Sequence, residues 1–372
     1  MAGEFRPCAH ALGCSDMTDH RVLWISTSLT TRGGIASFVN GMRQTPLWST
    51  WNVRHVATHQ DGSVLAKVAI FLRGARTVMW ELAVRPPEVM HIHMSSYGSF
   101  VRKSLMTWAG WLRRVPVVVH MHGSEFDVFF ARCPRVVQIY ISATLNRSKV
   151  LIALGDTWAE RLARIAPQAS IVVVPNAVKP QGPTRQPTGQ EPITVLFLGN
   201  IGDRKGAFTL IDAWSRVFSD WEGPVEPRLV LAGDGQVERA SRRIIELGLS
   251  AHARVVGWAA PADVQELLRS SQVLVLPSRS EGQPMAVLEA MAHGLCVVAT
   301  QVGGLADMID QDCAVLVPVD DPQALAEALI RVLVDGAERV RLGTAALQRV
   351  RDRFDVEVTW RAVDALYREV TR

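Results

Sequence analysis

Short apolar runs alternate with longer, mixed stretches along most of the chain. In the first half the runs are RVLWIST, EVMHIHM, VPVVVHMHG, KVLIAL and SIVVVPN. Each is apolar at mostly consecutive positions, as strands covered on both faces are. A second series begins after residue 192 with ITVLFLGN, RLVLAGDG, ARVVGWA, VLVLPS, CVVAT and AVLVP. Helical stretches such as IASFVNGM and PMAVLEAMAH follow many of these runs. Strands alternating with helices predict a parallel, doubly wound sheet, and two series predict two α/β domains. Ligands of such sheets bind beyond the carboxyl ends of the strands, so two facing domains place their ligand loops across one cleft.

Residues 179–192, KPQGPTRQPTGQEP, have no hydrophobic period and are rich in Pro, Gly, Gln and Thr. They are expected to link the domains. The predicted organisation is a leader over 1–19, an N-terminal domain over 20–178, the linker, a C-terminal domain over 193–355, and a helix over 356–372 that packs back on the N-terminal domain. The leader is read as a flexible extension; a metal site from Cys8, His10 and Cys14 is the weaker alternative. It lacks the continuous apolar core of a secretory signal, and no apolar run is long enough to span a bilayer. Five cysteines without a C-x-x-C pair suit a reducing compartment, so a cytoplasmic protein is expected.

The net charge of +4 conceals an asymmetry: residues 1–180 hold 20 Lys+Arg against 10 Asp+Glu, while residues 181–372 hold 20 against 26. The basic half also has seven of the eleven tryptophans: Trp24, Trp48, Trp51, Trp80, Trp108, Trp111 and Trp158. Within SFVRKSLMTWAGWLRRV, the positions Val101, Leu105, Trp108, Leu112 and Val115 follow a helical period. They predict a stripe packed on the sheet, with Arg102, Lys103, Arg113 and Arg114 outward. A solvated basic face is the plain reading; an anionic membrane surface is the functional one. No nucleic-acid recognition motif accompanies the charge, so a nucleic-acid partner is not expected.

The segment SRSEGQPMAVLEAMAHG, residues 278–294, reads as strand end, loop and helix. Pro284 suits the first helical position and Gly294 the stop. Glu281 then precedes the helix and Glu289 lies on its second turn. The free N–H groups of the first turn, from Met285 to Leu288, form an anion site reinforced by the helix dipole. A diphosphate there has one carboxylate on each side to hold hydroxyls. In LGNIGDRKG, Arg204 and Lys205 suit the neutralisation of such a diphosphate. Gly33 and Gly34 in TRGGIASF permit close backbone approach at a strand-to-helix turn. In HMHG, His122 ends a strand and points into the cleft.

The run EGQPMAVLEAMAHGLCVVAT resembles the E-x7-E signature of retaining GT-B glycosyltransferases of family 4, and the likeness extends over residues 20–372. It implies GT-B architecture: two Rossmann-like parallel-sheet domains facing across a cleft. It implies a retaining hexosyltransferase in which Glu281 contacts donor-sugar hydroxyls and Glu289 the ribose. Gly282, Gln283, Pro284, Met285, Ala286, Val287 and Leu288 then line the donor site. Arg204 and Lys205 match the family's basic pair, Gly33 and Gly34 its glycine loop, and His122 the residue facing the reacting sugar. Gly233 and Val256 fall in segments near the nucleotide. Cys296 stands where the family usually has proline, a departure expected to affect packing.

The expected donor is a nucleoside-diphosphate sugar, GDP-mannose first and UDP-sugars next. HIHMSSYGSFVRKS resembles the acceptor domain of bacterial exopolysaccharide glycosyltransferases, which implies a lipid-linked saccharide acceptor and a peripheral place on the inner membrane face. No metal cofactor is expected; the D-x-D triplet Asp310-Gln311-Asp312 reads as a solvated turn. Two rivals stand beside this reading. His91, His93, His120 and His122, with Glu125 or Asp127, suit the metal of a hydrolase. A protein that holds a nucleotide sugar without turnover is the other.

Overall fold

A computed structural model describes residues 20–372. The leader, with Cys8, His10 and Cys14, lies outside the described residues.

The first sheet contains β1 (Val22–Ser26), β2 (Arg54–Ala57), β3 (Val89–Met94), β4 (Val117–Met121), β5 (Val150–Ala153) and β6 (Ile171–Val173), ordered β2-β1-β3-β4-β5-β6. The second contains β7 (Thr194–Leu198), β8 (Arg228–Ala232), β9 (Ala253–Gly257), β10 (Val273–Leu276), β11 (Cys296–Thr300) and β12 (Ala314–Val317), ordered β12-β11-β10-β7-β8-β9. Every pairing is parallel. Sequence patterning gives eleven of these strands and omits β2, a short edge strand with one buried position.

Helices cover both faces of each sheet, which is why the strand runs are apolar at consecutive positions. Leu23, Ile25 and Ile92 pack into one core layer of the first domain, and Trp24, Val118 and Ile152 into the layer on the opposite face. Each such buried aliphatic side chain stabilises the fold by about 1.5–3 kcal/mol.

The chain crosses between the domains twice, at adjacent points. The Val178 amide donates to the Phe354 carbonyl at 2.9 Å, and the Val356 amide to the Val178 carbonyl at 3.0 Å. Beyond that crossing, helix Val356–Val370 lies on the first domain. Its Val363, Leu366, Tyr367 and Val370 complete the layer containing Trp24 and Trp51. The Trp24 indole donates to the Tyr367 hydroxyl, and the Trp51 indole to Asp364, each at 2.7 Å.

The 179–192 segment joins the two domains and lies as a strap on the second: the amides of Gln181 and Gly182 donate to Ala292, and that of Thr184 to His293. One expectation is corrected. Helix Gly98–Leu112 packs by the side opposite to the expected one. Phe100, Lys103, Ser104, Met106, Thr107 and Gly110 are buried, whereas Val101, Leu105 and Leu112 are exposed. The cause is close packing. A Cβ on Gly110 would lie 2.7 Å from Val117 and 2.8 Å from Met90, so the helix approaches the sheet by its small residues. Lys103 thereby enters the interior instead of the basic face, while Arg113 and Arg114 stay exposed. The seven tryptophans of the basic half divide as well: Trp24, Trp51 and Trp158 belong to the core, and of the seven Trp80 and Trp111 are among the exposed large hydrophobics.

Candidate active site

Strand order reverses where β7 meets β10, and the loops leaving these two strands carry the basic pair and the first glutamate. Such a reversal opens a crevice at the carboxyl edge of the sheet. Gly206, at φ 72°, lets the loops touch: a Cβ there would lie 2.0 Å from the Pro277 carbonyl oxygen. Glu281 is buried, and its Oε1 accepts from Lys205 Nζ and from Ser278 Oγ, both at 2.6 Å. Arg204 stays at the surface and donates to the Ser280 carbonyl at 3.1 Å.

Helix Met285–Ala292 follows, with Pro284 as its N-cap rather than its first residue. The Val287 and Leu288 amides already bond to the Pro284 carbonyl, so the open end of the helix consists of Met285 and Ala286, not the whole Met285–Leu288 turn. Glu289 is one turn further on. Among the described residues its carboxylate has no hydrogen-bond partner, and burial pushes its pKa up to about 7. Gln283 is corrected in role. Its carboxamide donates to Leu154 and accepts from the Asn176 amide, while the Asn176 side chain donates to the Gln283 carbonyl at 3.0 Å. Those bonds use the side chain to bolt the two domains together.

Gly233, at φ 152°, allows the β8 end to close on β7, since a Cβ would lie 1.8 Å from the Gly199 carbonyl oxygen. Val256 is exposed on the rim beside Trp258. Arg32, which sequence reasoning missed, spans the opening from the first domain: its guanidinium lies 4.7 Å over the Trp258 ring and 3.5 Å from Asp234. Behind it, a Cβ on Gly34 would lie 3.3 Å from Met285, so the glycine loop faces the open end of the helix; Gly33 is exposed beside it.

His122 leaves β4 toward the same space. Gly282 packs on its loop, with a Cβ position 3.6 Å from the His122 carbonyl oxygen, and Ser280 Oγ donates to the Ser124 carbonyl at 3.4 Å. A second latch, also missed, joins Thr157 to Asp307 at 2.8 Å. Parallel pairing sets His93 opposite His120 and gathers four imidazoles under the site. His93 Nδ1 and His122 Nε2 share a hydrogen bond of 2.9 Å, and His91 bonds to the Tyr367 hydroxyl at 2.5 Å. Burial holds His91, His93 and His122 well below the usual histidine range and His120 at about 3, so the column is neutral.

The hydrolase reading meets this geometry directly. Ring nitrogens of His91, His93 and His120 lie within 4.8 Å of one another. Yet the His91 and His93 rings stack at 7° and His120 on His122 at 29°. Stacked rings aim their in-plane lone pairs along parallel planes instead of at one point. Asp127 is paired with Arg161 at 2.8 Å. The D-x-D turn lies at the surface, with Gln311 and Asp312 exposed and Asp310 bound to Arg349 and to the Asp312 amide.

The family described as glycosyl transferase 4-like domain matches residues 26–177, and that of glycosyl transferases group 1 matches residues 192–335. The chain belongs to the GT-B glycosyltransferases of the family 4 type. It is 26% identical to the amylovoran biosynthesis glycosyltransferase AmsK of Erwinia amylovora, over 58% of this chain and 55% of that protein. It is 28% identical to the phosphatidyl-myo-inositol mannosyltransferase of Mycobacterium leprae, over 76% of this chain and 74% of that one. In fold it matches Anabaena HepE, solved with UDP and glucose, at a TM-score of 0.72 and 17% identity, covering 94% of this chain and 100% of HepE.

Proposed function

We propose that the protein transfers a hexose from a nucleoside-diphosphate sugar to a hydroxyl of a lipid-linked saccharide, with retention at the anomeric carbon, in polysaccharide or glycolipid biosynthesis. The observation that carries this reading is the seating of the Glu281 loop, with Lys205 bonded to it, against the His122 loop of the other domain. A diphosphate between Arg204, Lys205 and the Met285 end of the helix meets two cations and two free amides. Those groups stabilise the charge that grows on the departing diphosphate, the larger expected contribution to rate. Glu281 holds sugar hydroxyls and Glu289 the ribose. Neutral His122, fixed through Nε2, offers Nδ1 to the sugar. The departing diphosphate takes the acceptor proton on the same face, and the closed cleft keeps water from the donor. HepE's complex with UDP-glucose supports a nucleotide-sugar donor.

A membrane-side acceptor is supported by the first domain's surface. Val64, Leu65, Leu72 and Trp80 on helix Val64–Val84, and Val101, Leu105 and Leu112 on helix Gly98–Leu112, are exposed. Lys67, Arg73, Arg76, Arg113 and Arg114 accompany them. Apolar side chains edged by cations suit an interfacial position, at ~1 kcal/mol per basic residue on anionic lipid. No described helix is long and apolar enough to cross a membrane.

The test is donor-dependent release of nucleoside diphosphate with GDP-mannose, UDP-glucose and UDP-N-acetylglucosamine, with the product anomer read by NMR. Release that disappears in His122→Ala and Glu281→Ala is expected. Turnover at the parent rate in both variants refutes the site, and an inverted product refutes the retaining mechanism.

A further inference from the structure

Helix Gly98–Leu112 buries a lysine where its packing calls for an apolar side chain. Lys103 is fully buried, and among the described residues its ammonium donates only to the Ser99 hydroxyl, at 3.2 Å. An ammonium has three donors, and burying one without an anion is costly. Next to it, the Nε of Arg102 is buried and, among the described residues, has no partner. The Arg102 side chain folds back over the start of its helix, since a Cβ on Gly98 would lie 3.1 Å from Nη1. Burial and the positive field of Arg102, Lys67 and Lys103 lower the pKa of nearby His59; Asp61 is the carboxylate that opposes them. One Asp61 oxygen already accepts the Arg32 amide, at 2.9 Å. Burial, with Arg102 beside it, brings Lys103 down to about 7. The positive groups converge, and among the described residues no carboxylate pairs with Arg102 or Lys103.

The convergence lies beside the reacting centre. Ser99 Oγ also accepts the Ser95 amide at 3.2 Å. Ser95 and Ser96 lie against Gly123, whose Cβ position is 2.9 Å from Ser96 Oγ. His122 precedes Gly123, and Lys103 is among the charges that depress its pKa. Lys103 therefore stands behind the face of the cleft that the acceptor must occupy.

We propose that Arg102, Lys103, Ser99 and the Ser95–Gly98 turn form a pocket that binds a phosphoryl group of the acceptor beside His122. The proposal rests on the glycosyltransferase reading and specifies its acceptor as a phosphate or diphosphate ester. The anion supplies the counter-charge that Lys103 lacks and fills the open donors of both cations, as charge-assisted hydrogen bonds do. A polyprenyl diphosphate and a soluble phosphorylated saccharide present the same chemistry to it.

The experiment uses the full chain carrying Arg204→Ala and Lys205→Ala, which removes the other basic anion site, with inorganic pyrophosphate as the probe. Pyrophosphate is expected to raise Tm, and adding Lys103→Met to weaken that response about tenfold or more. Without pyrophosphate, Lys103→Met is expected to keep or raise Tm, because an unpaired buried charge is gone. Arg102→Gln, at a half-buried position, is the second variant and is expected to weaken the response without loss of Tm. A purely structural lysine gives the reverse: Lys103→Met lowers Tm and the pyrophosphate response survives in both variants. That result, or no pyrophosphate response at all, overturns the proposal. Polyprenyl diphosphate in detergent micelles separates the sources, tighter binding than pyrophosphate assigning the lipid and equal binding the free phosphate ester; either supports the pocket. Thermal shift of the unsubstituted chain by nucleotide sugars is measured separately. Its absence counts against the glycosyltransferase reading and leaves the pyrophosphate result to stand by itself.

Discussion

Replacing Glu289 by glutamine separates what this carboxyl does for the fold from what it does for the donor. Burial raises its pKa from 4.5 to about 7. The unfolded chain ionises it near 4.5, so the folded state binds the proton more tightly. Its unfavourable effect is absent at low pH, grows as pH rises from 4.5 to 7, and is constant above that. At 1.36 kcal/mol per pH unit the full cost is about 3 kcal/mol, and contact with solvent in the cleft brings it nearer 2. Glutamine has the same shape and no charge. The variant is therefore expected to be about 2–3 kcal/mol more stable than the parent at pH ~8 and equal to it near pH 4.5, measured by urea denaturation at both pH values. On the proposed reading nucleotide binding moves the other way: glutamine replaces one acceptor oxygen with an NH2 donor, so ribose hydroxyls would lose a charge-assisted partner and affinity is expected to fall about tenfold. In the parent, nucleotide affinity should also improve between pH 6 and 8 as the carboxylate forms, whereas the variant stays flat over that window. A stability difference that does not change with pH, or a variant less stable at pH 8, refutes the reasoning.

Lys205→Met leaves the Glu281 carboxylate buried with only Ser278 as partner, so a loss of about 3 kcal/mol is expected in urea denaturation, most of it recovered by adding Glu281→Gln. His93→Ala frees the Nε2 of His122 and should lower kcat about tenfold or more with little change in donor KM, while His93→Gln, which can still reach His122, restores part of it. Gly233→Ala forces a Cβ into the Gly199 carbonyl and a non-glycine residue into φ 152°, a change expected to cost about 3 kcal/mol or more by thermal denaturation. Gln283→Ala removes bonds to Leu154 and Asn176 and is expected to speed proteolysis near residue 178 and raise donor KM, with little change in kcat.

The strands were legible because sheets covered on both faces demand consecutive apolar residues, and RLVLAGDG or VLVLPS reads no other way. Arg204, Lys205 and Glu281 were legible as neighbours because each follows a strand, and strand ends share an edge. Helix Gly98–Leu112 was misread for a packing reason. Periodicity assumes that the largest apolar side chains face inward, yet Gly110 and Thr107 bring this helix so near the sheet that Leu105 and Leu112 have no room there. Gln283 was misread because proximity to the donor motif says nothing about Leu154, across the cleft. The support for the histidine column was beyond reach: Tyr367 and His91 lie 276 residues apart, and no local pattern pairs them.

The docking of the Val356–Val370 helix on the first domain has a consequence for synthesis. The first domain leaves the ribosome before the second, but the helix that covers Trp24 and Trp51 is made only after the second. Throughout translation of the second domain the first stands unfinished, with part of its aromatic core exposed. The two domains therefore mature together, and a chain stopped after residue 355 retains Arg204, Lys205, Glu281 and Glu289 but lacks the cover over Trp24 and Trp51.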